Sequence, residues 1–193
     1  MADHQVLVRK DFERALRDGV GMDTKTLHQD NLSVLDRDEG EHMHALDNLV
    51  TFKATAGDSG ALTALEFLAP RGFGPPLHCH RDEDELVVVL EGEVVFRSGD
   101  TEATTSTGGM AYLPHGVPHT FQVLSESARM LSVTASVAPG QSPQFDQMFR
   151  ALGEPVSEPT LPAPMDIDPG NVAMVLDQHG IDTLGPPPAP LAV

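Results

Sequence analysis

Apolar and polar residues alternate along the middle of the chain, from about residue 46 to residue 137. A period of two suits an extended strand, because successive side chains point to opposite faces of a sheet and only one face is buried. Turn residues interrupt the alternation at short intervals, as at Gly57–Gly60 and Ser98–Asp100. Many short strands between turns predict a sandwich, a barrel or a jelly roll.

The predicted strands cover most of this central stretch. They are residues 49–54, 62–67, 86–90, 94–96, 110–113, 120–124 and 128–137. Composition agrees, since the chain has 17 glycines, 16 prolines and only 5% aromatic residues. Such a mixture favours short strands joined by turns over a helical bundle. We therefore expect an all-β domain, with the barrel at residues 46–140.

The segments on either side of the barrel differ from it in pattern. Residues 1–45 are predicted to be an N-terminal extension, in which apolar residues at helical spacing form a short helix over 8–16. Met22 is an alternative start of the chain, and residues 28–44 are acidic with no clear period. Residues 141–193 are predicted to be a helical and proline-rich tail.

The tail is predicted to contain two helices. Ser142 would cap the first, which Gly153 would end, and the second would begin at Asp168 and end at Gly180. The first helix carries an apolar stripe formed by Phe145, Met148, Phe149 and Leu152. This helix is too short to be stable alone and must pack on something. We expect it to pack against the barrel, and the alternatives are a second copy of the chain or a place in the wall of a substrate pocket.

Charge and cysteine content limit the partners and the compartment. The formal net charge is −17 at pH 7, which disfavours nucleic acid and anionic membranes. It does not exclude an anionic substrate, because a bound dication reverses the local field. The single cysteine cannot form an internal disulfide. The N-terminus is too polar for a signal peptide, and no apolar run approaches the roughly 20 residues of a membrane span, so we expect a soluble cytoplasmic protein.

A group of candidate metal ligands lies within the predicted strands. His78 and His80 are two residues apart, so on a strand they point to the same side while Cys79 points to the other. A charged turn follows, and Glu85 opens the next apolar strand. His119 follows further along the chain. Two imidazoles and a carboxylate from neighbouring strands can bind one cation, and His119 supplies a fourth ligand.

Both stretches resemble the paired motifs of the cupin superfamily. The residues that match are Gly72, His78, His80, Glu85 and Gly92 in the first motif, and Gly108, Pro114, Gly116 and His119 in the second. Val123 departs from the pattern, because that place often holds asparagine. The resemblance implies a double-stranded β-helix, or jelly-roll barrel, with short flanking helices. It also implies one divalent transition metal per chain (Fe, Mn, Ni, Co, Cu or Zn) and a homodimer.

Other residues could take part, and each has a simpler interpretation. Glu83 or Asp84 could replace Glu85 after a shift in register, but Glu85 adjoins the apolar strand and has the motif's distance to Gly92. Cys79 is expected to be a small buried hydrophobe. The solvated positions predicted in turns and loops are Arg81–Asp84, His115, His42 and His44.

Three imidazoles and one carboxylate favour a catalytic rather than a structural site. On an octahedral first-row metal these four ligands leave two positions open for substrate, water or dioxygen. In a structural zinc site the coordination is tetrahedral, and four protein ligands fill it completely. Glu85 could also serve as a catalytic base. The motifs and the segment 145–155 resemble those of single-domain quercetin 2,3-dioxygenase-like proteins. That resemblance implies a dioxygenase acting on a flavonol-like or other enolic or aromatic small molecule. The alternatives are a cyclase or isomerase that uses the metal as a Lewis acid and a non-catalytic binding protein.

Overall fold

A computed structural model describes residues 33–191 of the chain. The predicted helix at 8–16 and the alternative start at Met22 lie outside the described residues. The strands are β1 Glu41–Ala45, β2 Asn48–Ala54, β3 Leu62–Pro70, β4 His78–His80, β5 Glu83–Glu91, β6 Glu93–Ser98, β7 Thr101–Ser106, β8 Met110–Leu113, β9 Thr120–Val123, β10 Ser127–Ser136, β11 Glu154–Val156 and β12 Ile181–Thr183. The helices are α1 Ala56–Ser59, α2 Phe145–Leu152 and α3 Pro169–Gln178. All of these elements belong to one compact unit that begins at Arg37.

The strands form antiparallel sheets that enclose one hydrophobic core. The largest sheet has seven strands in the order β11-β1-β2-β3-β10-β5-β8. A three-stranded sheet, β7-β6-β9, and the pair β12-β4 supply the other side, and a β-bridge between His78 and His119 joins β4 to the start of β9. Side chains from both sides meet in the core, for example Val89 and Val94. The predicted all-β jelly roll with short flanking helices is confirmed.

Alternation along two adjacent strands makes one region of this interior polar. On β5, the inward positions begin with Glu83 and Glu85 and continue with Val87 and Val89. On β10, which pairs with β5, the inward positions include Met130, Ser132 and Thr134. Because only every second residue faces inward, a short strand can carry charged groups at one end of the core and apolar groups at the other.

The prediction that His42 and His44 lie in a loop is wrong. Both histidines lie on β1, and the His42 side chain is buried with its Nδ1 atom 3.0 Å from Thr51 Oγ1. The strand pairs with β2 through the two-residue turn Leu46-Asp47, whose φ angles of 53° and 66° are those that a tight hairpin requires. The acidic sequence around β1 hides its apolar positions, so a hydrophobic pattern could not reveal it.

The charged segment Arg81–Asp84 is only partly the solvated turn that the sequence predicted. Arg81 and Asp82 are exposed, but Glu83 is the first residue of β5 and is buried. The Glu83 carboxylate accepts a hydrogen bond from the backbone N–H of Gln144. Glu83 thus ties the start of β5 to the segment that leads into α2.

Helix α2 begins later than predicted. Its first residue is Phe145 and its N-terminal flanking residue is Gln144, whereas the Ser142 hydroxyl donates to the carbonyl of Gly60 instead of capping the helix. The predicted end of this helix at Gly153 is confirmed. The predicted start of the second helix at Asp168 is also confirmed, since Asp168 Oδ1 accepts a hydrogen bond of 2.9 Å from the N–H of Gly170.

The tail also contributes two short strands to the sheets. Strand β11 pairs with β1, and β12 pairs with β4, the strand that carries His78 and His80. The sheets therefore extend into both segments that flank the predicted barrel. The domain boundaries at residues 45 and 140 remain a prediction. No helix within residues 33–191 has the length and apolar character needed to cross a bilayer.

Candidate metal centre

Four side chains from three parts of the sequence meet inside the barrel. They are His78, His80, Glu85 and His119, and one possible ligand atom from each lies within 4.8 Å of the others. All four are buried. The structure therefore brings together the complete set that the motif spacing predicted, and this cluster could hold a metal ion.

Backbone pairing places the ligands. The N–H groups of His78 and His119 donate to each other's carbonyl oxygens at 3.0 and 2.8 Å, which sets the two residues side by side. His80 lies two residues further along β4 and faces the same way. Glu85 reaches the cluster from β5, where it is held between Leu113 of β8 and Thr134 of β10.

Backbone carbonyls orient two of the imidazoles. His78 Nδ1 lies 2.8 Å from the carbonyl oxygen of Pro76, and His119 Nδ1 lies 2.9 Å from that of Val117. A carbonyl only accepts, so each Nδ1 atom must carry the hydrogen and donate it. The neutral ring then presents the lone pair of Nε2, which is the arrangement that metal-binding histidines use.

Several nitrogen atoms of the cluster have no hydrogen-bond partner among the described residues. His80 Nδ1, His80 Nε2 and His119 Nε2 are buried and have no hydrogen-bond partner among the described residues. The Nε2 atoms of His80 and His119 each lie 3.7 Å from Glu85 Oε2, too far for a hydrogen bond but suited to atoms that share one cation. Buried polar atoms without a partner destabilise the folded protein. A divalent metal ion would bind these nitrogen atoms, so the four residues fit such an ion.

Ser132 fixes the carboxylate. Its hydroxyl donates to Glu85 Oε1 at 2.6 Å, and both side chains are buried. The other oxygen, Oε2, is the one that faces His80 and His119. Sequence reasoning missed Ser132, which is a polar residue at an inward position of β10.

The electrostatics keep His78 and His80 neutral and the Glu85 carboxylate charged. Burial lowers the pKa of His78 to about 3, and the nearby His119 and His80 add to this effect. Burial also lowers the pKa of His80. Burial of Glu85 opposes ionisation, but the imidazoles of His119 and His80 and the Ser132 hydroxyl favour the carboxylate, and its pKa falls to about 2. Neutral imidazoles and an ionised carboxylate are the forms that bind metal.

The alternative ligands lie elsewhere. Asp84 points away from the cluster and accepts hydrogen bonds from Tyr112 Oη and from the N–H of His115, whose side chain is exposed as predicted. Glu83 faces inward but binds Gln144, and burial raises the pKa of its carboxyl. Cys79 is buried on the face opposite the histidines, as predicted.

A narrow cavity adjoins the cluster. His78, Glu85 and Ser132 line one part of it, and most of the remaining wall is apolar. The aromatic residues in that wall are Phe67, Phe73, Phe121, Phe145 and Phe149. Its free volume is about 60 Å³, which is room for a few water molecules. An aromatic substrate would therefore have to displace side chains, and the flexible Met130 and Met148 in the wall are suited to move.

Helix α2 packs in the core and also lines the cavity. Phe145, Met148 and Phe149 are buried in the main core, which fits the expected packing against the barrel. The same three side chains line the cavity. The Phe149 ring packs 5.1 Å from the rings of both Phe67 and Phe145.

A wider groove lies next to the cavity. Its volume is about 400 Å³, and its wall includes the proline run 186–188 of the tail. The groove and the cavity share the residues Leu46, Phe73, Pro75 and Pro76. The groove therefore adjoins the cavity that borders the metal cluster.

Comparisons with known proteins agree with this architecture. Residues 64–134 match the family Cupin_2, described as a cupin domain, and this segment contains all four cluster residues. Quercetin 2,3-dioxygenase from Bacillus subtilis (strain 168) is 29% identical over 97 residues, which are 50% of this chain and 29% of that protein. The chain thus spans less than a third of the length of this relative.

Part of this chain also aligns with two solved structures. KdgF from Halomonas sp. aligns with a TM-score of 0.49 and 18% identity, covering 54% of this chain and 94% of that one. Oxalate decarboxylase from Bacillus subtilis aligns with a TM-score of 0.46 and 21% identity, covering 56% of this chain and 31% of the other.

Proposed function

Because the chain carries a cupin domain at residues 64–134, we propose that it is a metal-dependent dioxygenase acting on a flavonol-like or other enolic or aromatic small molecule. His78, His80, Glu85 and His119 would hold one divalent first-row transition metal. That metal would be Fe, Mn, Ni, Co, Cu or Zn. Glu85 would also be the catalytic base.

One observation carries this proposal. The buried cluster opens, through His78 and Glu85, onto a cavity whose wall is mostly aromatic and aliphatic. An apolar wall favours a flat apolar substrate, while the cluster favours a substrate that presents an oxygen ligand. The similarity to the Bacillus subtilis quercetin 2,3-dioxygenase supports the same class.

The protein's own residues would orient the substrate and move a proton. When bound, a metal of this class polarises an oxygen ligand and, if it is redox-active, binds dioxygen. Ser132 keeps Glu85 Oε1 in place, so the carboxylate is held towards the cavity. Its low pKa keeps Glu85 ionised. The carboxylate could then accept the proton of an enol or phenol hydroxyl bound beside it.

Oxygen uptake tests the proposal. Protein reconstituted separately with each candidate metal is assayed with a panel of flavonols and simple enols in an oxygen electrode. We expect uptake with at least one metal and substrate. Glu85→Gln should reduce turnover far more than metal content, and Asp84→Asn, which makes the same isosteric change at the neighbouring outward carboxylate, is the control.

Other outcomes would redirect the assignment. Product formation without oxygen uptake would indicate a cyclase or isomerase in which the metal acts only as a Lewis acid. Binding of these compounds without turnover would indicate a small-molecule-binding protein. If Glu85→Gln loses turnover and bound metal to the same extent, Glu85 is a metal ligand and not a base. If turnover is unchanged, Glu85 is not the catalytic base.

The predicted homodimer also remains a proposal. Strand β8 is an edge of the seven-stranded sheet, and it leaves Met110 and Tyr112 each 56% exposed. Exposed apolar side chains on a sheet edge favour association. Light scattering on the purified protein measures the state, and Tyr112→Lys should favour the monomer if this edge is used.

A further inference from the structure

One polar side chain in the cavity wall has no role in the metal cluster. The polar residues that line the cavity within the described part of the chain are Asn48, His78, Glu85 and Ser132. The last three lie in or beside the cluster. Asn48 is only 2% exposed, and its Oδ1 atom has no hydrogen-bond partner among residues 33–191.

Strand register explains why Asn48 faces inward. On β2, Val50 is paired with Phe67 and Phe52 with Leu65, and all four are core residues. Asn48 lies two residues before Val50, so its side chain shares the same face. It therefore continues an apolar row into the cavity as the one amide in that row.

The register also sets Asn48 apart from the metal cluster. Ser132 pairs with Leu65 of β3, whereas Asn48, by extension of the β2–β3 register, lies opposite Ala69. Those two positions on β3 are four residues apart, about 13 Å along the strand. The cavity thus has polar groups near both ends, with apolar side chains between them.

The local backbone holds Asn48 in place. It directly follows the tight turn Leu46-Asp47, and the Asp47 Oδ1 atom accepts a hydrogen bond of 2.6 Å from the N–H of Met165. Leu46 has a positive φ of 53°, which is unusual for a branched side chain. Its side chain nevertheless lines both the cavity and the outer groove, beside Asn48.

We propose that Asn48 is a specificity-determining residue, which binds a hydroxyl or carbonyl group at the end of the substrate remote from the metal cluster. This proposal rests on the proposed function, because that function defines the part of the substrate that faces the metal. An amide both donates and accepts, so either group is a suitable partner. Leaving a buried amide oxygen unpaired destabilises the free protein, whereas a bound polar group would restore the missing hydrogen bond. The substrate class is accordingly an elongated aromatic molecule with polar groups at both ends.

The test compares two probes that differ by one hydroxyl. These are 3-hydroxyflavone and 3,4′-dihydroxyflavone, titrated by fluorescence into protein loaded with Zn²⁺, which is not redox-active. The wild-type protein should bind the dihydroxy probe about five- to tenfold more tightly. Asn48→Leu should abolish this preference and leave the affinity for 3-hydroxyflavone unchanged or higher. An equal preference in both proteins would overturn the proposal.

A second measurement does not depend on the probes. If the Asn48 amide is unpaired in the free protein, Asn48→Leu should raise the melting temperature, and Val50→Ala in the same row should lower it. A lower melting temperature in Asn48→Leu would make Asn48 a structural residue and overturn the proposal. Failure of both probes to bind the wild-type protein would instead contradict the flavonol-type function, and the melting temperatures would still decide the role of Asn48.

Discussion

The Ser132 hydroxyl lies 2.6 Å from Glu85 Oε1 and donates a hydrogen bond to it across two paired strands, with both side chains buried. The bond restrains the carboxylate and leaves Oε2 directed at the two imidazoles of His80 and His119. Ser132 therefore supports the site without being one of the four proposed ligands.

Removing this hydroxyl should weaken metal binding. Ser132→Ala is expected to lower the affinity for a divalent metal by about 10- to 100-fold, since partners of this kind orient a ligand and this hydroxyl also helps to keep the Glu85 carboxylate ionised. A chelator competition titration measures the change. Ser136→Ala, four residues further along β10 and outside the cluster, is the matched control. Equal affinities in the two variants would show that Ser132 has no supporting role.

Acid should destabilise the metal-free protein. The pKa of His78 is near 6.5 in the unfolded chain and falls to about 3 on burial. Between these values only the unfolded state takes up the proton, so the unfolding free energy should decline as the pH falls from 6.5 towards 3. Glu85 acts in the same direction below pH 4.5, because its pKa falls to about 2 in the folded state. Each such proton contributes up to about 1.4 kcal/mol per pH unit.

Urea unfolding of chelator-treated protein between pH 7 and pH 4.5 tests this. His78→Gln should show a flatter decline than the wild-type protein, whereas Ser136→Ala, which removes no titratable group, should follow the wild type. A decline in His78→Gln as steep as that of the wild type would show that burial of His78 does not cause the pH dependence.

The motif glycine at position 92 should tolerate no side chain. Its φ is 91°, and a Cβ atom there would lie 2.5 Å from the carbonyl oxygen of Ser127. Gly92→Ala should therefore cost about 2–6 kcal/mol of unfolding free energy, from backbone strain and from overpacking together. Gly99→Ala is the control, because Gly99 also has a positive φ but has nothing within 4 Å of the added atom. Equal losses in chemical denaturation would leave backbone strain as the only cause.

Much of the site followed from the sequence because its ligands lie on strands. His78 and His80 share a face through the period of two, and motif spacing pointed to Glu85 and His119. Ser132 and Asn48 were missed because one inward polar residue in an apolar row looks like an ordinary interruption. Strand β12, which supports the ligand strand β4, has three residues and shows no period. Strand β7 was missed because its residues are almost all exposed, so burial imposes no hydrophobic pattern on them.

The wall formed by helix α2 should influence substrate choice. Phe149→Leu keeps an apolar side chain but removes a ring that packs on Phe67 and Phe145, so it should alter the relative turnover of large and small aromatic substrates. Leu152→Val, on the same helix but outside the cavity lining, should not. Phe149→Asp should lower the melting temperature, since burial of this ring contributes about 1.5–3 kcal/mol. An unchanged preference in Phe149→Leu would limit α2 to a scaffold role.

Metal stoichiometry tests the central claim most directly. The protein is stripped with a chelator, loaded with a divalent transition metal, desalted and analysed by inductively coupled plasma mass spectrometry beside His78→Ala, His119→Ala and the exposed control His115→Ala. The account predicts about one ion per chain in the wild-type protein and in His115→Ala, and little or none in the other two variants. Full occupancy in both His78→Ala and His119→Ala, with the fold intact by circular dichroism, would contradict it.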